Sequence, residues 1–156
     1  MNLRRAAAIV ACAAIAAVAV GCGGDDGGGD TTSTTEALTK QEWITQADQI
    51  CSDGDAAIQQ AAEDAGLSNP TPEELKSFYT ETVLPNIEDQ RDQIEALPVP
   101  AGEEDAIGSI TDALDQAISD AQADPDALVN GSSDVFKDVN QQAQDYGLTS
   151  CGDGGG

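Results

Sequence analysis

The sequence predicts an all-α protein, a small bundle of about four amphipathic helices, and three observations carry this prediction. From Leu38 onward, apolar residues recur every three or four positions among alanine, glutamine and acidic residues. Runs of alternating β-branched and polar residues, which would indicate strands, do not occur in the sequence. Capping residues precede the periodic segments, and glycine or proline follows them. Four such segments with short connections are typical of a helical bundle.

The first helix is predicted to begin at a capping box formed by Thr39 and Glu42. Its apolar face comprises Trp43, Ile44, Ala47, Ile50, Cys51, Gly54, Ala57, Ile58 and Ala61. Acidic residues and glutamines, including Asp48, occupy the other side, which we expect to face solvent. Gly66 is a suitable terminating residue, and Leu67 is placed to fold back on the last turn.

The second helix is predicted to begin at Thr71-Pro72-Glu73-Glu74, which supplies a cap, a proline at the first helical position and a capping glutamate. Pro85 lies inside the apolar pattern that follows. Because proline removes a backbone donor and crowds the preceding turn, the sequence predicts a kink there rather than two separate helices. Pro98 and Pro100 end this element.

The remaining helices are predicted over about Glu103 to Ala123 and about Ser133 to Tyr146. Asp124-Pro125 is placed to cap a brief helix between them. Gly147 stops the last helix, and Leu148 can cover its end. Because large aliphatic residues are few and alanine is abundant, we expect a thin core with close helix contacts.

Upstream of the helices, the chain begins like an export signal that ends at a cysteine. Arg4 and Arg5 precede an apolar run, Ala6 to Val20, which is shorter than the ~20 residues that span a bilayer. Small residues then lead into Cys22. This pattern resembles the lipobox of bacterial lipoproteins, although Ala19 stands where that motif usually has leucine. The resemblance implies that Cys22 carries a diacylglycerol thioether and becomes the first residue of the mature protein.

The cysteine count favours lipidation over an ordinary cleaved signal, for which Ala17-Val18-Ala19 is a suitable site, and over an uncleaved anchor. Cys12 leaves with the signal. A lipidated Cys22 then leaves Cys51 and Cys151 as one pair, and we expect the oxidising surroundings of an exported protein to join them. The chain-entropy model assigns such a disulfide about 4–5 kcal/mol of stabilisation.

These signals divide the chain into four parts. We expect residues 1–21 to be a cleaved signal peptide, 22–37 a lipid-anchored acidic linker, 38–152 the helical bundle and 153–156 a disordered tail. Gly23 to Glu36 contains glycine, acidic residues, threonine and serine without an apolar side chain, so it is predicted to be a flexible tether. The predicted location is the extracytoplasmic face of the cell membrane, with the lipid as the membrane contact.

The charge balance bears on possible partners. The chain has 29 acidic and 6 basic residues, a formal net charge of −23, and loss of Arg4 and Arg5 removes two of the basic ones. This composition argues against nucleic acid as a partner, because phosphate binding needs basic residues. The acids are spread over every segment, which favours solubility or adaptation to the surroundings over a specific attraction to a basic partner.

The sequence contains few residue patterns that are typical of catalytic or metal-binding sites. It contains no histidine, which removes Ser-His-Asp and Cys-His catalysis and metal sites built on imidazole. Asp124-x-Asp126 begins like a calcium loop, but Val129 and Val135 stand where an EF-hand has glycine and glutamate. Acid–base hydrolysis uses two carboxylates, but among 29 acidic residues such pairs are expected by chance. We therefore expect no catalytic residue, no metal site and no cofactor.

Two further motifs carry a resemblance, "QADQIC" at Gln46–Cys51 and "YGLTSCG" at Tyr146–Gly152. Together with the lipobox and the tether, they resemble small actinobacterial lipoproteins of unknown role, which implies no activity. The favoured hypothesis is a non-catalytic interaction domain that acts through protein partners in the cell envelope. The alternative is a solute-binding lipoprotein with a pocket between helices near Trp43 and Phe78. A carboxylate hydrolase is the third and weakest hypothesis.

Overall fold

Six α-helices build the described part of the chain, which comprises residues 37–130 and 135–153 of a computed structural model. They are α1 (Lys40–Asp64), α2 (Pro72–Phe78), α3 (Leu84–Glu95), α4 (Glu104–Ala123), α5 (Pro125–Val129) and α6 (Lys137–Tyr146). Within these residues no strand occurs, and the predicted all-α bundle is confirmed. None of the helices in the described ranges is long and apolar enough to span a bilayer. The predicted signal, Cys22 and the tether before residue 37 lie outside the described residues.

Helix α1 begins and ends as predicted. The amide of Glu42 donates to Thr39 Oγ1 (3.2 Å), and the amide of Thr39 donates to Glu42 Oε2 (2.9 Å). This reciprocal pair is the capping box, and the Thr39 hydroxyl lowers the pKa of Glu42 by donating to it. After the helix, Gly66 adopts a left-handed φ of 68°. The buried residues of α1 belong to the predicted face: Trp43, Ile44, Ala47, Cys51 and Gly54. Ala57, predicted on the same face, is exposed.

The second predicted helix is continuous but interrupted by a π-helical turn. Helix α2 leads through Tyr79–Val83, which is π-helical, directly into α3. The amide of Leu84 donates to the carbonyl of Tyr79, five residues back. Pro85 follows at once. Because proline has no N–H and crowds the preceding turn, a wider turn before it accommodates the ring. The predicted irregularity therefore lies in the turn that precedes Pro85.

The later helices follow the prediction with one difference. Asp124 caps α5 by accepting from the amide of Ala127 (3.3 Å). Helix α6 begins at Lys137, later than the predicted Ser133, and residues 131–134 lie outside the described ranges. Gly147 ends α6 with a φ of 112°, and the amide of Leu148 donates to the carbonyl of Ala143 (2.9 Å).

Nine of the thirteen buried hydrophobic residues in the described ranges form two separate clusters. One joins α1, α4 and α6 and comprises Trp43, Ile44, Ala47, Ile107, Ala143 and Leu148. The other joins α3, α4 and α5 and comprises Leu84, Ala121 and Leu128. Members of both clusters line the same cavity. The core is thin, as predicted, but the expected close contacts do not fill the interior.

Candidate functional site

A cavity of about 580 Å³ lies between the helices. All six helices, the π-helical turn and the segment after α6 contribute to its wall. Its apolar lining includes Trp43, Ile58, Phe78, Ile87, Leu114 and Leu128. This volume falls within the range of roughly 300–1,000 Å³ that small-molecule sites occupy. The site is therefore an apolar enclosure of a size that suits a small organic molecule.

Trp43 forms part of the wall and is 1% exposed. Its ring packs edge-on against Tyr146, with the ring centroids 5.7 Å apart and the planes at 89°. Among the described residues, the indole Nε1 has no hydrogen-bond partner. A buried donor without a partner costs about 1–3 kcal/mol.

A charged pair lies against Tyr146, formed by Lys40 at the start of α1 and Glu103 immediately before α4. Lys40 Nζ lies 4.0 Å from the centroid of the Tyr146 ring and 3.1 Å from Glu103 Oε2. Burial, and then the nearby Glu103 carboxylate, raises the pKa of Tyr146 to about 12. The phenol therefore stays neutral at physiological pH, and the cluster backs Trp43 from outside the cavity.

The predicted disulfide between Cys51 and Cys151 is present, and both cysteines line the cavity. It joins α1 to the segment after α6, so that Ser150, Cys151 and Asp153 become part of the wall. The sequence predicted the bond from the cysteine count and the expected export of the protein. The structure adds that the bond itself lies in the wall of the cavity.

Asp48 also fixes the segment after α6 through hydrogen bonds. Its carboxylate accepts from the amides of Thr149 (2.9 Å), Ser150 (2.9 Å) and Cys151 (3.3 Å), and from the Thr149 hydroxyl (2.8 Å). The sequence placed Asp48 on the polar side of α1, where it is partly exposed, but did not predict these hydrogen bonds. A signal was present, because Asp48 precedes Cys51 by three positions and residues at that spacing are neighbours on a helix.

The charged groups of the lining are Asp55, Arg91 and Asp153. The Arg91 guanidinium is already neutralised, with Nη1 2.6 Å from Asp115 and Nε 2.8 Å from Asp92. In the described part of the chain, no lysine or arginine nitrogen lies within 4 Å of the Asp55 carboxylate. Burial, and then the charge of Asp153, raises the pKa of Asp55. Two carboxylates without a basic partner therefore face one apolar space.

The polar groups of the lining can orient a bound molecule. Across the described ranges, no group of three or more histidine, cysteine or acidic side chains is placed to hold a metal ion. The lining carries amide and hydroxyl groups, such as Gln59, Thr111 and Asn140, that can orient a ligand by hydrogen bonds. None of these is a nucleophile paired with a base.

The residues singled out from the sequence divide into two sets. Trp43, Phe78 and the disulfide between Cys51 and Cys151 all line the cavity. The predicted lipidation site, Cys22, lies outside the described residues. No protein-family model matches the chain, and comparison with curated proteins and with solved structures gave no match.

Proposed function

We propose that this protein is a membrane-anchored extracytoplasmic lipoprotein whose helical domain binds an apolar small molecule. The observation that carries the proposal is the cavity of about 580 Å³ lined by side chains from all six helices. Protein interiors are normally close-packed, and empty apolar space lowers stability because its lining loses contacts. A bound molecule would restore those contacts, so the fold gains from an occupant.

The anchor fits this role. A lipid on Cys22 and the tether that follows would hold the domain next to the membrane. Apolar molecules concentrate in membranes because water disfavours their surface. A domain with an apolar cavity at that position could take up or release such molecules without contact between them and bulk water. The proposed activity is binding, without a catalytic step.

A purely protein-interaction role receives less support from the surface. Among the described residues, Val99, at 40% exposure, is the large hydrophobic side chain that stands exposed. Protein interfaces are usually centred on clustered apolar and aromatic side chains. The apolar surface of this domain points inward instead, which favours a small ligand over a protein partner.

The test uses Trp43, the single tryptophan of the chain, as an internal probe. A chain from residue 22 onward with Cys22→Ser retains the compact unit Thr34–Gly156 and needs no detergent. Titration with 1-decanol is expected to shift Trp43 emission in a saturable manner and to raise Tm. At a ligand concentration of 100 Kd, the stabilisation should be about 2.7 kcal/mol.

A cavity-filling variant provides the control. Val83 and Thr111 both line the cavity, so Val83→Phe/Thr111→Phe should reduce the emission change and the Tm shift. Ala56→Phe adds an aromatic ring at an exposed position of α1 and should bind like the parent. Absence of any response in the parent, or an equal response in the filled variant, would overturn the proposal.

A further inference from the structure

We infer that residues 66–78, the turn after α1 together with helix α2, form a lid that opens to admit the ligand, and that the ion pair between Lys76 and Asp126 is its latch. The inference rests on the proposed function and names the route by which the ligand enters and leaves. Three observations carry it. The lid contains no buried residue, one exposed ion pair ties it to the rest of the domain, and an irregular backbone segment lies at each of its ends.

The lid covers the cavity without being anchored in the core. Its cavity-lining side chains are Leu67, Pro70, Leu75 and Phe78. All four are half-buried, and residues 55–83 form the longest stretch of the described ranges without a buried residue. Segments with few buried apolar contacts are the ones that open at the lowest cost in free energy. The lid can therefore move without breaking the packing of either buried cluster.

A single ion pair ties the lid to another part of the domain. Lys76 Nζ lies 2.7 Å from Asp126 Oδ1 on α5, and the two side chains are 41% and 67% exposed. Within the described part of the chain, the other hydrogen bonds of the lid join positions that are close in sequence, such as the capping box of Thr71 and Glu74. Because an ion pair between exposed side chains contributes little to stability, this latch can open readily.

The other wall elements are held more firmly. Helices α1, α3, α4, α5 and α6 each contain at least one buried residue. The segment after α6 is held by the disulfide and by the hydrogen bonds to Asp48. On α5, Leu128 is 4% exposed, so the latch joins the lid to a helix that is itself fixed. The lid is therefore the part of the wall best suited to open.

The backbone at both ends of the lid departs from a regular α-helix. Gly66 adopts a left-handed φ of 68°, and a Cβ placed there would meet no atom within 4 Å. At the other end, the turn Tyr79–Val83 is π-helical, and Pro85 shortly after it supplies no N–H to the helical ladder. Lid motions are absorbed by a few residues at the ends of elements, and π-helical turns are frequent at functional sites. These two positions are therefore the hinges of the lid.

A covalent lock provides the first test. Lys76→Cys/Asp126→Cys, made in the chain from residue 22 with Cys22→Ser, places one thiol on each side of the latch. Joining the thiols with 1,3-dibromoacetone should slow the association of 1-decanol by about tenfold or more, because a closed lid sequesters the site. Stopped-flow Trp43 emission measures the rate, and mass spectrometry verifies the bridge.

The control for the lock is the same variant with both thiols capped by iodoacetamide, which should bind at least as fast as the parent. Equal association rates in the joined and capped forms would overturn the inference and leave the proposed function standing. Absence of saturable binding in every form, the parent included, would overturn the proposed function itself.

A latch variant provides the second test. Asp126→Asn should raise the association and dissociation rates of 1-decanol together, by about two- to fivefold, because the exposed ion pair holds the lid closed with or without a ligand. The Kd should therefore change by less than about twofold. Lys76→Met should act in the same way, and combining the two changes should add nothing further.

The matched control for the latch is Glu73→Gln. Glu73 is exposed, follows the proline that begins α2 as Asp126 follows the proline that begins α5, and makes no ion pair among the described residues. Glu73→Gln should keep the parental rates. An equal acceleration in Glu73→Gln would assign the effect to net charge, and a change in the dissociation rate alone would assign the ion pair to ligand affinity. Either result, or unchanged rates in both latch variants, would contradict the latch.

Discussion

At the scale of single residues, two aspartates of α1 differ in the partners that surround them. Asp48 accepts hydrogen bonds from three consecutive backbone amides, Thr149, Ser150 and Cys151. Asp55 lies about two turns further along the helix, and the charge of Asp153 lies near it without a basic residue in an ion pair with either. The first aspartate stabilises the end of the chain, whereas the second leaves an unbalanced charge at the cavity. Their substitution should therefore have opposite effects on stability.

Asp48→Asn should destabilise the domain by about 1–2 kcal/mol, because an amide retains one acceptor and loses the charge that strengthens these hydrogen bonds. Urea denaturation of the parent and the variant measures the difference. Asp53→Asn, on the same helix, should stay within about 0.5 kcal/mol of the parent. Equal midpoints for Asp48→Asn and the parent would show that the disulfide alone fixes the segment.

Asp55→Asn should stabilise the empty domain slightly at pH 7. Burial raises the pKa of Asp55 above its ordinary value, so the native state holds the proton more tightly than the unfolded chain does. Stability therefore falls as the pH rises through the interval between the ordinary and the raised pKa. The gain should be below about 0.5 kcal/mol, because the carboxylate is partly hydrated.

Thermal unfolding at pH 7 and at pH 3 tests the sign of this effect. At pH 3 the carboxyl group is largely protonated in both states, so the advantage of Asp55→Asn should disappear. An Asp55→Asn variant that melts below the parent at pH 7 would mean that the carboxylate is stabilised by its surroundings, contrary to this account.

At the scale of elements, the helix ends follow from local chemistry that can be read in the sequence. One example is Gly147 at the end of α6. Its φ of 112° is a left-handed conformation that suits a residue without a Cβ. A Cβ there would also lie 3.3 Å from Ile44 Cδ1. Gly108, inside α4, has no such neighbour within 4 Å and no such backbone requirement.

Alanine at these two glycines should have opposite effects. Gly147→Ala should cost about 1–2 kcal/mol, because a left-handed conformation is unfavourable for a residue with a Cβ. Gly108→Ala should add about 0.5–1 kcal/mol through helix propensity. Chemical denaturation of both variants measures the contrast. If both changes stabilise the protein, the left-handed end of α6 is not required.

The sequence predicted caps and helix ends well because a few neighbouring residues determine them. The Thr39 and Glu42 capping box, the short helix after Asp124 and the stop at Gly147 were all predicted in this way. The π-helical turn before Pro85 was not, because proline alone does not specify which residues widen the turn. The open interior depends on how distant segments meet, and no local pattern encodes it. The partners of Asp48 are also distant in sequence, and the one signal for them was its spacing to Cys51, which the predicted disulfide ties to Cys151.

At the scale of the whole molecule, the disulfide and the cavity belong to one arrangement. The bond closes a loop with a sequence separation of 100, and the segment that it fixes forms part of the cavity wall. A thin core with an open interior leaves few apolar contacts to hold the fold together. The covalent link supplies stability that packing does not.

Replacing both cysteines, Cys51→Ser/Cys151→Ser, should lower the free energy of unfolding by about 2–5 kcal/mol and weaken 1-decanol binding. The first effect follows from the greater freedom of the unfolded chain. The second follows because the segment beyond α6 is then held by Asp48 without the covalent bond. Unchanged probe affinity in a folded double variant would show that this segment is not needed for the cavity.

The most direct measurement of the central claim is native mass spectrometry of the full-length protein after expression in a bacterium and mild detergent extraction of the membrane fraction. The account predicts acyl chains on Cys22, the loss of two hydrogens at the disulfide and a small non-covalent mass on the protein. That non-covalent mass should be absent from Val83→Phe/Thr111→Phe. A parent protein that is lipidated but always empty, or an equal bound mass on the filled variant, would contradict the claim that the cavity holds a ligand.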